Sequence, residues 1–380
     1  MIKIGVLVLK QINFLYKVNR VSVLTAGIFI LMQLSCKTGS IIQLLPSIAF
    51  ETQNRIDNGF HLGTVIGIID QNGTRYYGFG QTSLTNKSKP NENSIFEIGS
   101  ITKTFNATLL ADLDAKGEMD LQNSIGTYLP VFSNVVTDST KKITLESLVT
   151  HTSGLPREPR NMNPNDDNRY KNYSSKDLVE FLSAYKQDLV SNTFSYSNLG
   201  VLIAEYAIET ETKMEYEVLV KKRVLDMLDM NDSYFEVPES KRHHLVKGYK
   251  DSKETEELDL GEFQSMGGLR STVKDMLKYL SAQLYPTSSG LTEAIEATQK
   301  VHFSSKELSM GLGWEIVQRK KSGKTIYFHK GGTNGFVSFA GFDLEGKIGV
   351  VVLVNGRNWF SDLGFKLIDP SYPLSKPGNN

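Results

Sequence analysis

Four serines in this 380-residue chain are each followed by a lysine three positions later. On a helix, that spacing places both side chains on one face, about a turn apart. The lysine can then hold or take the hydroxyl proton, provided that burial or a neighbouring charge lowers its pKa. Any one such pair is more often solvated helix surface, so the spacing alone assigns no function. The pairs are Ser100/Lys103, Ser139/Lys142, Ser183/Lys186 and Ser271/Lys274.

Ser100 stands at the start of a predicted helix. Residues 100–116 carry apolar side chains at helical spacing, and Gly117 follows as a C-terminal stop. The positive end of the helix dipole favours negative charge developing at residue 100. This position suits a nucleophile, and two further motifs favour Ser100 over the other three serines.

These motifs supply the groups that a serine nucleophile would need. In Tyr196-Ser197-Asn198, a phenol near a lysine ammonium could ionise more easily and relay a proton, while the amide could fix a substrate carbonyl. Residues 329–333 close a predicted strand, where Gly331 and Gly332 would let a peptide lie alongside as an extra strand. Residues 170–172 repeat the Tyr-x-Asn spacing, but we interpret them as exposed loop.

In this order and spacing, the three motifs resemble those of the serine penicillin-recognising family. That family comprises class C β-lactamases, serine D-Ala-D-Ala carboxypeptidases and related esterases. The resemblance extends from about residue 55 to residue 357, nearly the whole chain after the N-terminal segment. Further matching blocks are Phe96–Ser100, Leu148–Pro156, Gly267–Leu269 and Gly311–Trp314.

The resemblance implies catalytic roles for three side chains. Ser100 would be the nucleophile, Lys103 its activating partner and Tyr196 the proton shuttle. The backbone N–H groups of Ser100 and Gly332 would form the oxyanion hole that stabilises the tetrahedral intermediate.

Substrate binding is implied at Asn198, His329 and Gly331. His329 occupies the position where class C β-lactamases usually carry lysine, and histidine there is more typical of the carboxypeptidase and esterase members. A neutral imidazole attracts a substrate carboxylate less than an ammonium does. We therefore expect less efficient turnover of β-lactams than in a dedicated β-lactamase.

The pattern of predicted elements indicates an α/β fold of the α+β type, and the family resemblance implies the fold of β-lactamases and transpeptidases. Strands near both termini would form one antiparallel sheet flanked by helices, with a mainly helical lobe inserted and a substrate cleft between the lobes. The predicted strands are 64–69, 74–79, 313–317, 325–329, 337–343 and 348–355, and the further predicted helices are 176–185, 198–209 and 272–283. The predicted regions are a tether at 37–55, a sheet-and-helix lobe at 56–118 plus 265–368, a helical lobe at 119–264 and a frayed tail at 369–380.

Residues 1–36 read as an export signal. The segment is basic, contains no acidic residue and has an uncharged, largely apolar run that ends at Cys36, the only cysteine. Residues 31–36 resemble a bacterial lipobox, although Gln33 departs from the usual pattern. A plain signal peptide or an uncleaved anchor remains an alternative. We expect an exported protein of the periplasm or cell envelope, lipid-anchored at Cys36 and with no other membrane contact.

Composition argues against several other classes. Lys plus Arg equals Asp plus Glu, 42 each, which argues against a nucleic-acid partner. One Cys and six scattered His make a metal site unexpected, and no motif implies an organic cofactor. We interpret His151 as structural rather than as a general base, and His243 and His244 as solvated.

The sequence therefore predicts an exported serine hydrolase that forms an acyl-enzyme at Ser100. Its substrate would be a small molecule or a peptidoglycan-type peptide, attacked at a β-lactam or D-Ala-type carbonyl. Two alternatives stay open. One is a carboxylesterase or D-amino-acid amidase of the same family, and the other is an envelope protein that binds penicillin without turnover.

Overall fold

The computed structural model describes residues 44–134, 142–163, 165, 169–186, 193–285, 290–358 and 361–375. The chain divides into two units, residues 1–44 and residues 45–380, and only residue 44 of the first is described. The predicted export signal, Cys36 and Ser139 lie outside the described residues.

An antiparallel sheet forms the centre of the larger unit. Within the described residues it has eight strands in the order β2-β1-β12-β11-β10-β9-β8-β7. Its strands are β1 (Gly63–Asp70), β2 (Gly73–Gly80), β7 (Phe303–Ser304), β8 (Ser309–Met310), β9 (Glu315–Gln318), β10 (Thr325–Gly332), β11 (Val337–Asp343) and β12 (Ile348–Val354). Strand β1 pairs with β12, so the two ends of the chain meet in the sheet. The predicted fold class, a mixed α/β fold with an antiparallel sheet flanked by helices, is confirmed.

Helices cover both faces of this sheet. The register pairs Gly67 with Val351 and Ile66 with Val352, so these pairs face opposite sides. A Cβ on Gly67 would lie 2.4 Å from Val273 of helix α8 (Val273–Leu284), so glycine there lets the helix approach. On the other face, helix α10 (Ser361–Ile368) packs its Gly364 against Phe339 of β11. The apolar strands are therefore buried on both sides.

The N-terminal part of this unit is helical where the sequence predicted a tether. Helix α1 (Pro46–Asp57) begins with a proline and buries Ile48, Thr52 and Arg55, which recur at helical spacing. The Arg55 guanidinium donates to both carboxylate oxygens of Asp362 in α10, at 2.9 and 2.7 Å. This ion pair joins α1 to the C-terminal helix, which is why the segment is ordered.

Part of the expected C-terminal tail is also packed. The Tyr372 ring stacks on Phe365, with 4.9 Å between centroids, and the Ser375 backbone N–H donates to Asp362 at 2.8 Å. Residues 369–375 are therefore not frayed, and residues 376–380 lie outside the described part of the chain.

The middle of the chain supplies most of the remaining helices. They are α2 (Thr102–Ala115), α3 (Ile125–Tyr128), α4 (Leu145–Val149), α5 (Ser175–Ala184), α6 (Asn198–Thr212), α7 (Tyr216–Val220) and, after α8, α9 (Thr292–Gln299). Small two-stranded pairings join β3 (Ile95–Glu97) to β6 (Arg270–Thr272) and β4 (Tyr249–Lys250) to β5 (Lys253–Glu254). Capping residues fix several helix starts: Ser174, Ser197 and Thr272 each accept a backbone N–H with the side-chain oxygen. In the part of the chain that is described, no helix is long and apolar enough to span a bilayer.

Candidate active site

Ser100 lies on a 3₁₀ turn, Gly99–Ile101, that leads directly into α2. Gly99 has φ +51°, and a Cβ there would lie 2.7 Å from the Gly332 backbone nitrogen. Glycine is thus required twice, by the left-handed backbone and by the close approach of β10. The result is a serine held at a helix start beside the end of a sheet strand.

Lys103 lies one turn further along and is buried. Its Nζ is 3.1 Å from Ser100 Oγ and donates to the Met266 carbonyl at 2.5 Å. No carboxylate among the described residues lies within ion-pair distance of this amine. Burial lowers the pKa of Lys103 well below its usual 10.5, the Arg157 charge lowers it further, and Glu158 partly opposes both. A neutral amine placed here can accept the Ser100 proton.

The Met266 carbonyl is positioned by a buried glutamate. The two carboxylate oxygens of Glu205, on α6, accept the backbone N–H groups of Gln264 and Ser265, each at 2.9 Å. Residue 266 follows immediately, so Glu205 fixes the segment that holds Lys103. Sequence analysis missed this residue. Its signal was an acid inside an apolar helix, seven positions after Asn198 and hence on the same helix face.

The Tyr196 hydroxyl lies near enough to Ser100 for that side chain to act on its pKa. Its ring centroid is 5.2 Å from Lys103 Nζ and 6.3 Å from the His329 ring centroid. Burial raises the pKa of Tyr196, although Ser100 and the Arg157 charge oppose this. The expected easier ionisation is therefore wrong, because a raised pKa keeps Tyr196 a neutral phenol.

His151 packs against the ring of Tyr196 and contacts the backbone that follows it. The two rings lie 4.3 Å apart between centroids, and His151 Nδ1 accepts the Ser197 backbone N–H at 3.2 Å. Burial lowers the pKa of His151 well below 6.5, with Lys103 adding to the effect. The imidazole is thus neutral and holds the Tyr196–Asn198 turn, a positioning contact.

Asn198 begins α6 and faces a small polar group. Its Nδ2 lies 3.4 Å from Glu158 Oε1 and 3.5 Å from the Tyr170 hydroxyl, which itself donates to Glu158. Its buried Oδ1 has no hydrogen-bond partner among the described residues, so it can accept an N–H from a substrate. Tyr170, which the sequence placed in an exposed loop, is half-buried and lines the cleft.

The end of β10 forms the other wall of the site. Gly331 lies against the Ser100 turn, because a Cβ there would be 1.9 Å from the Ile98 carbonyl oxygen. The glycine thus accommodates the protein's own backbone. Strand β9 pairs with β10 only over Thr325–Phe328, so residues 329–332 lack a strand partner on that side within the described chain. An extended substrate could align there.

His329 is buried at this strand end, 2% exposed. Its Nδ1–H donates to the Lys330 carbonyl at 2.9 Å. Burial, with a smaller effect of the Lys103 charge, lowers the pKa of His329 to about 3. The imidazole is therefore neutral and contributes no positive charge to the site.

Ser100 and several of its neighbours line a cleft of about 360 Å³. Ser100, Asn198, Met266 and Gly332 line it together with the charged residues Arg157, Arg169, Glu256, Glu257, Asp259 and Arg357. The structure thus brings together Ser100, Lys103, Tyr196, Asn198, His329, Gly331 and Gly332, while their catalytic roles stay predictions.

The competing candidates lie elsewhere. Ser183 Oγ donates to the Val179 carbonyl on an exposed helix face, and Ser271 is buried against Ser233. His243 and His244 lie on a surface 3₁₀ helix. No group of three metal-ligating side chains that could hold a metal ion occurs in the described ranges.

Comparison with known proteins connects this geometry to a family. The sequence profile of the family described as Beta-lactamase matches residues 52–367. That span contains every residue of the cleft and most of the sheet and helices.

Curated relatives carry the same description at low identity. A β-lactamase of Psychrobacter immobilis is 27% identical over 258 residues, covering 67% of this chain and 62% of the relative. A β-lactamase of Lysobacter lactamgenus is 25% identical over 326 residues, 77% and 82% of the two chains. A β-lactamase of Escherichia coli K12 is 24% identical over 363 residues, 86% and 93% of the two chains.

A solved structure shares the fold. The crystal structure of a β-lactamase/D-alanine carboxypeptidase from Pseudomonas syringae superposes with a TM-score of 0.74 and 20% identity. The match covers 86% of this chain and 98% of the other.

Proposed function

This chain belongs to the β-lactamase family and is a serine hydrolase, and from that premise we propose that it forms an acyl-enzyme at Ser100. One observation carries the proposal. Ser100 Oγ lies 3.1 Å from a buried amine that has no carboxylate partner among the described residues, and the Tyr196 hydroxyl lies near it. A base and an acid thus flank one nucleophile.

Acylation follows from these contacts. Neutral Lys103 takes the Ser100 proton as Oγ attacks the substrate carbonyl, and the backbone N–H groups of Ser100 and Gly332 stabilise the tetrahedral oxyanion. Tyr196 donates a proton to the leaving nitrogen or oxygen, and the lysine ammonium restores the Tyr196 proton. Water then attacks the ester, with the same residues acting in the reverse sense.

The substrate proposed is a β-lactam or a D-Ala-type peptide. The open side of residues 329–332 supports an extended peptide-like substrate, and Asn198 Oδ1 supports an amide N–H in it. A neutral His329 favours a carboxypeptidase or esterase activity over fast β-lactam turnover. Esters and D-amino-acid amides therefore remain in competition.

A fluorescent penicillin tests the acyl-enzyme. We expect covalent labelling of the wild type, with intact mass rising by one penicillin, and no labelling of Ser100→Ala. Ser271→Ala, which changes the buried serine of another Ser-x-x-Lys pair, is the control and should label normally. Equal labelling of wild type and Ser100→Ala would remove Ser100 from the mechanism.

A substrate panel then separates the family's activities. A chromogenic cephalosporin, a p-nitrophenyl ester and a D-Ala-D-Ala peptide are compared by kcat/KM. We expect the peptide or ester to exceed the cephalosporin. An adduct that persists for hours with no product released would instead indicate a penicillin-binding protein without turnover.

Export and lipidation at Cys36 form a separate part of the proposal. The basic N-terminal segment and the lipobox-like residues 31–36 support it. Metabolic labelling with palmitate in a bacterial host is expected for the wild type and lost in Cys36→Ser. Labelling that persists in the variant would rule out Cys36 as the site.

A further inference from the structure

We propose that Arg157 forms an anion-binding subsite over the ring of Tyr196 and selects acyl donors that carry a carboxylate. The inference rests on the proposed function and deepens it, since it names the charge of the substrate and the residue that binds the charged group.

The position of Arg157 is the first observation. Its guanidinium carbon lies 5.0 Å from the centroid of the Tyr196 ring, and the Tyr196 hydroxyl lies near the nucleophile. The residue is exposed and lines the cleft with Ser100. Its charge is strong enough at this place to lower the pKa of Lys103. A carboxylate bound here would thus lie beside the reacting carbonyl.

The second observation is that Arg157 has no competing partner. Within the described chain no carboxylate is within ion-pair distance of it, and its side chain makes no hydrogen bond. The other arginines of the cleft are engaged: Arg169 pairs with Glu158 at 3.5 Å, and Arg357 donates to the Thr333 carbonyl. Arg157 therefore keeps its planar donors for a ligand.

The acids of the cleft do not cancel this charge. Glu257 pairs with Arg242, and Asp259 pairs with Lys171 at 2.9 Å. Glu256 lines the cleft without a partner among the described residues, but nothing places it against a catalytic side chain. Glu158, which opposes the charge of Arg157 at Lys103, is paired with Arg169 at 3.5 Å. Neutral His329 adds no charge of its own.

Matched esters provide the test. Mono-p-nitrophenyl glutarate and p-nitrophenyl valerate have acyl chains of equal length, and only the first carries a carboxylate. We expect the wild type to prefer the glutarate ester in kcat/KM by about tenfold, as befits a charge-assisted hydrogen bond at a partly exposed site, and to lose most of that preference in 1 M salt. Arg157→Gln should abolish the preference, lowering kcat/KM for the glutarate ester about tenfold more than for the valerate ester.

Two further variants sharpen the result. Arg157→Glu should prefer p-nitrophenyl 5-aminovalerate, whereas Arg160→Gln, which changes an exposed arginine three residues along, should behave as the wild type. A wild type that prefers the cationic ester, or an Arg157→Gln variant that loses activity on both esters in equal proportion, would overturn the proposal.

Binding without turnover separates this inference from the acyl-enzyme itself. In a Ser100→Ala background, equilibrium dialysis of mono-p-nitrophenyl glutarate should show about tenfold weaker binding when Arg157→Gln is added. Equal binding by both proteins would refute the subsite whether or not Ser100 is the nucleophile. Hydrolysis of both esters by Ser100→Ala would refute the acyl-enzyme alone.

Discussion

Arg55 and Lys103 are both buried basic residues, and their surroundings differ in one respect. Arg55 lies between α1 and α10 with Asp362 and Glu51 in contact, at 2.7 and 2.8 Å. Burial alone would lower the pKa of Arg55, but the hydrogen bonds and charge of Asp362 and Glu51 raise it overall. Lys103 has only a hydroxyl and a carbonyl, and burial lowers its pKa.

The difference separates a structural charge from a reactive group. A buried cation with two carboxylates is locked in its charged form and joins two helices. A buried amine without a carboxylate loses its proton more readily and can then act as a base. The same chemical event, burial of a basic side chain, therefore stabilises the fold in one place and prepares chemistry in the other.

Removing the reactive amine should have the largest effect. Lys103→Met should reduce the rate of acylation by a fluorescent penicillin by about 10³-fold or more, as expected for loss of a general base. Stability should not fall, because the pKa of Lys103 is lower in the folded chain than in the unfolded chain, so burying the amine costs free energy at pH 7.

The matched control is Lys274→Met, in the Ser271/Lys274 pair, which should keep its full acylation rate. An active Lys103→Met protein, or one that is strongly destabilised, would contradict the distinction between the two cations.

Removing Asp362, the partner of Arg55, should lower stability and leave the acylation rate unchanged. Asp362→Ala leaves the Arg55 guanidinium buried without its bidentate partner, and we expect about 3–5 kcal/mol lower free energy of unfolding in urea. The acylation rate per folded molecule should not change. Replacing both residues, as Arg55→Met with Asp362→Leu, should restore most of the lost free energy of unfolding. A double variant no more stable than Asp362→Ala would refute the argument.

Because buried histidines of the fold are neutral, we expect the free energy of unfolding to decrease at acidic pH. Burial lowers the pKa of His61 and His329 to about 3, so unfolded chains bind protons below pH 6.5 that the folded chain does not. Stability must then fall as pH falls from about 6.5 towards 3, at about 1.4 kcal/mol per pH unit for each histidine. His329→Gln should flatten the slope between pH 6 and pH 4.5 by that amount in urea titrations.

A His329→Gln slope identical to that of the wild type would show that His329 is not buried in its neutral form.

Changing Glu205, which positions the segment that contacts Lys103, should have the smallest effect. Glu205→Gln keeps the shape but offers one carbonyl oxygen to two backbone N–H groups, so the segment carrying the Met266 carbonyl should loosen. We expect about tenfold lower kcat above pH 8, where Glu205 is ionised, with KM unchanged. Burial raises the pKa of Glu205 to about 8, so wild-type kcat should rise with pH through that value as the carboxylate forms, and this rise should be absent from the variant.

Glu209→Gln, one turn further along α6, supplies the control. Its carboxylate accepts the Tyr216 backbone N–H at 2.8 Å, away from Lys103, and kcat should not change. A KM effect without a kcat effect in Glu205→Gln would indicate a role in binding rather than in positioning the base.

Much of the fold was predictable because its signals are local. The predicted strand 337–343 coincides with β11, and the predicted helix 272–283 with its Thr272 cap differs from α8 by one residue at each end. Helix α1 was missed because its stabilising partner, Asp362, is more than 300 residues away in sequence.

The sequence could predict only those parts of the site that are formed by side chains rather than by backbone groups. The order of Ser100, Lys103, Tyr196 and His329 indicated residues that converge, and the structure places them together. The Met266 carbonyl has no sequence signature, since every residue has one. Tyr170 was dismissed because its loop is polar, yet a polar loop can cover a polar cleft.

The protonation state of Lys103 tests the central claim most directly. NMR of protein labelled with ¹³Cε and ¹⁵Nζ lysine, with Lys103→Met to assign the signal, follows this amine through a pH titration. The account predicts one lysine whose titration midpoint lies well below 10.5. A Lys103 signal that stays protonated up to pH 10 would contradict it.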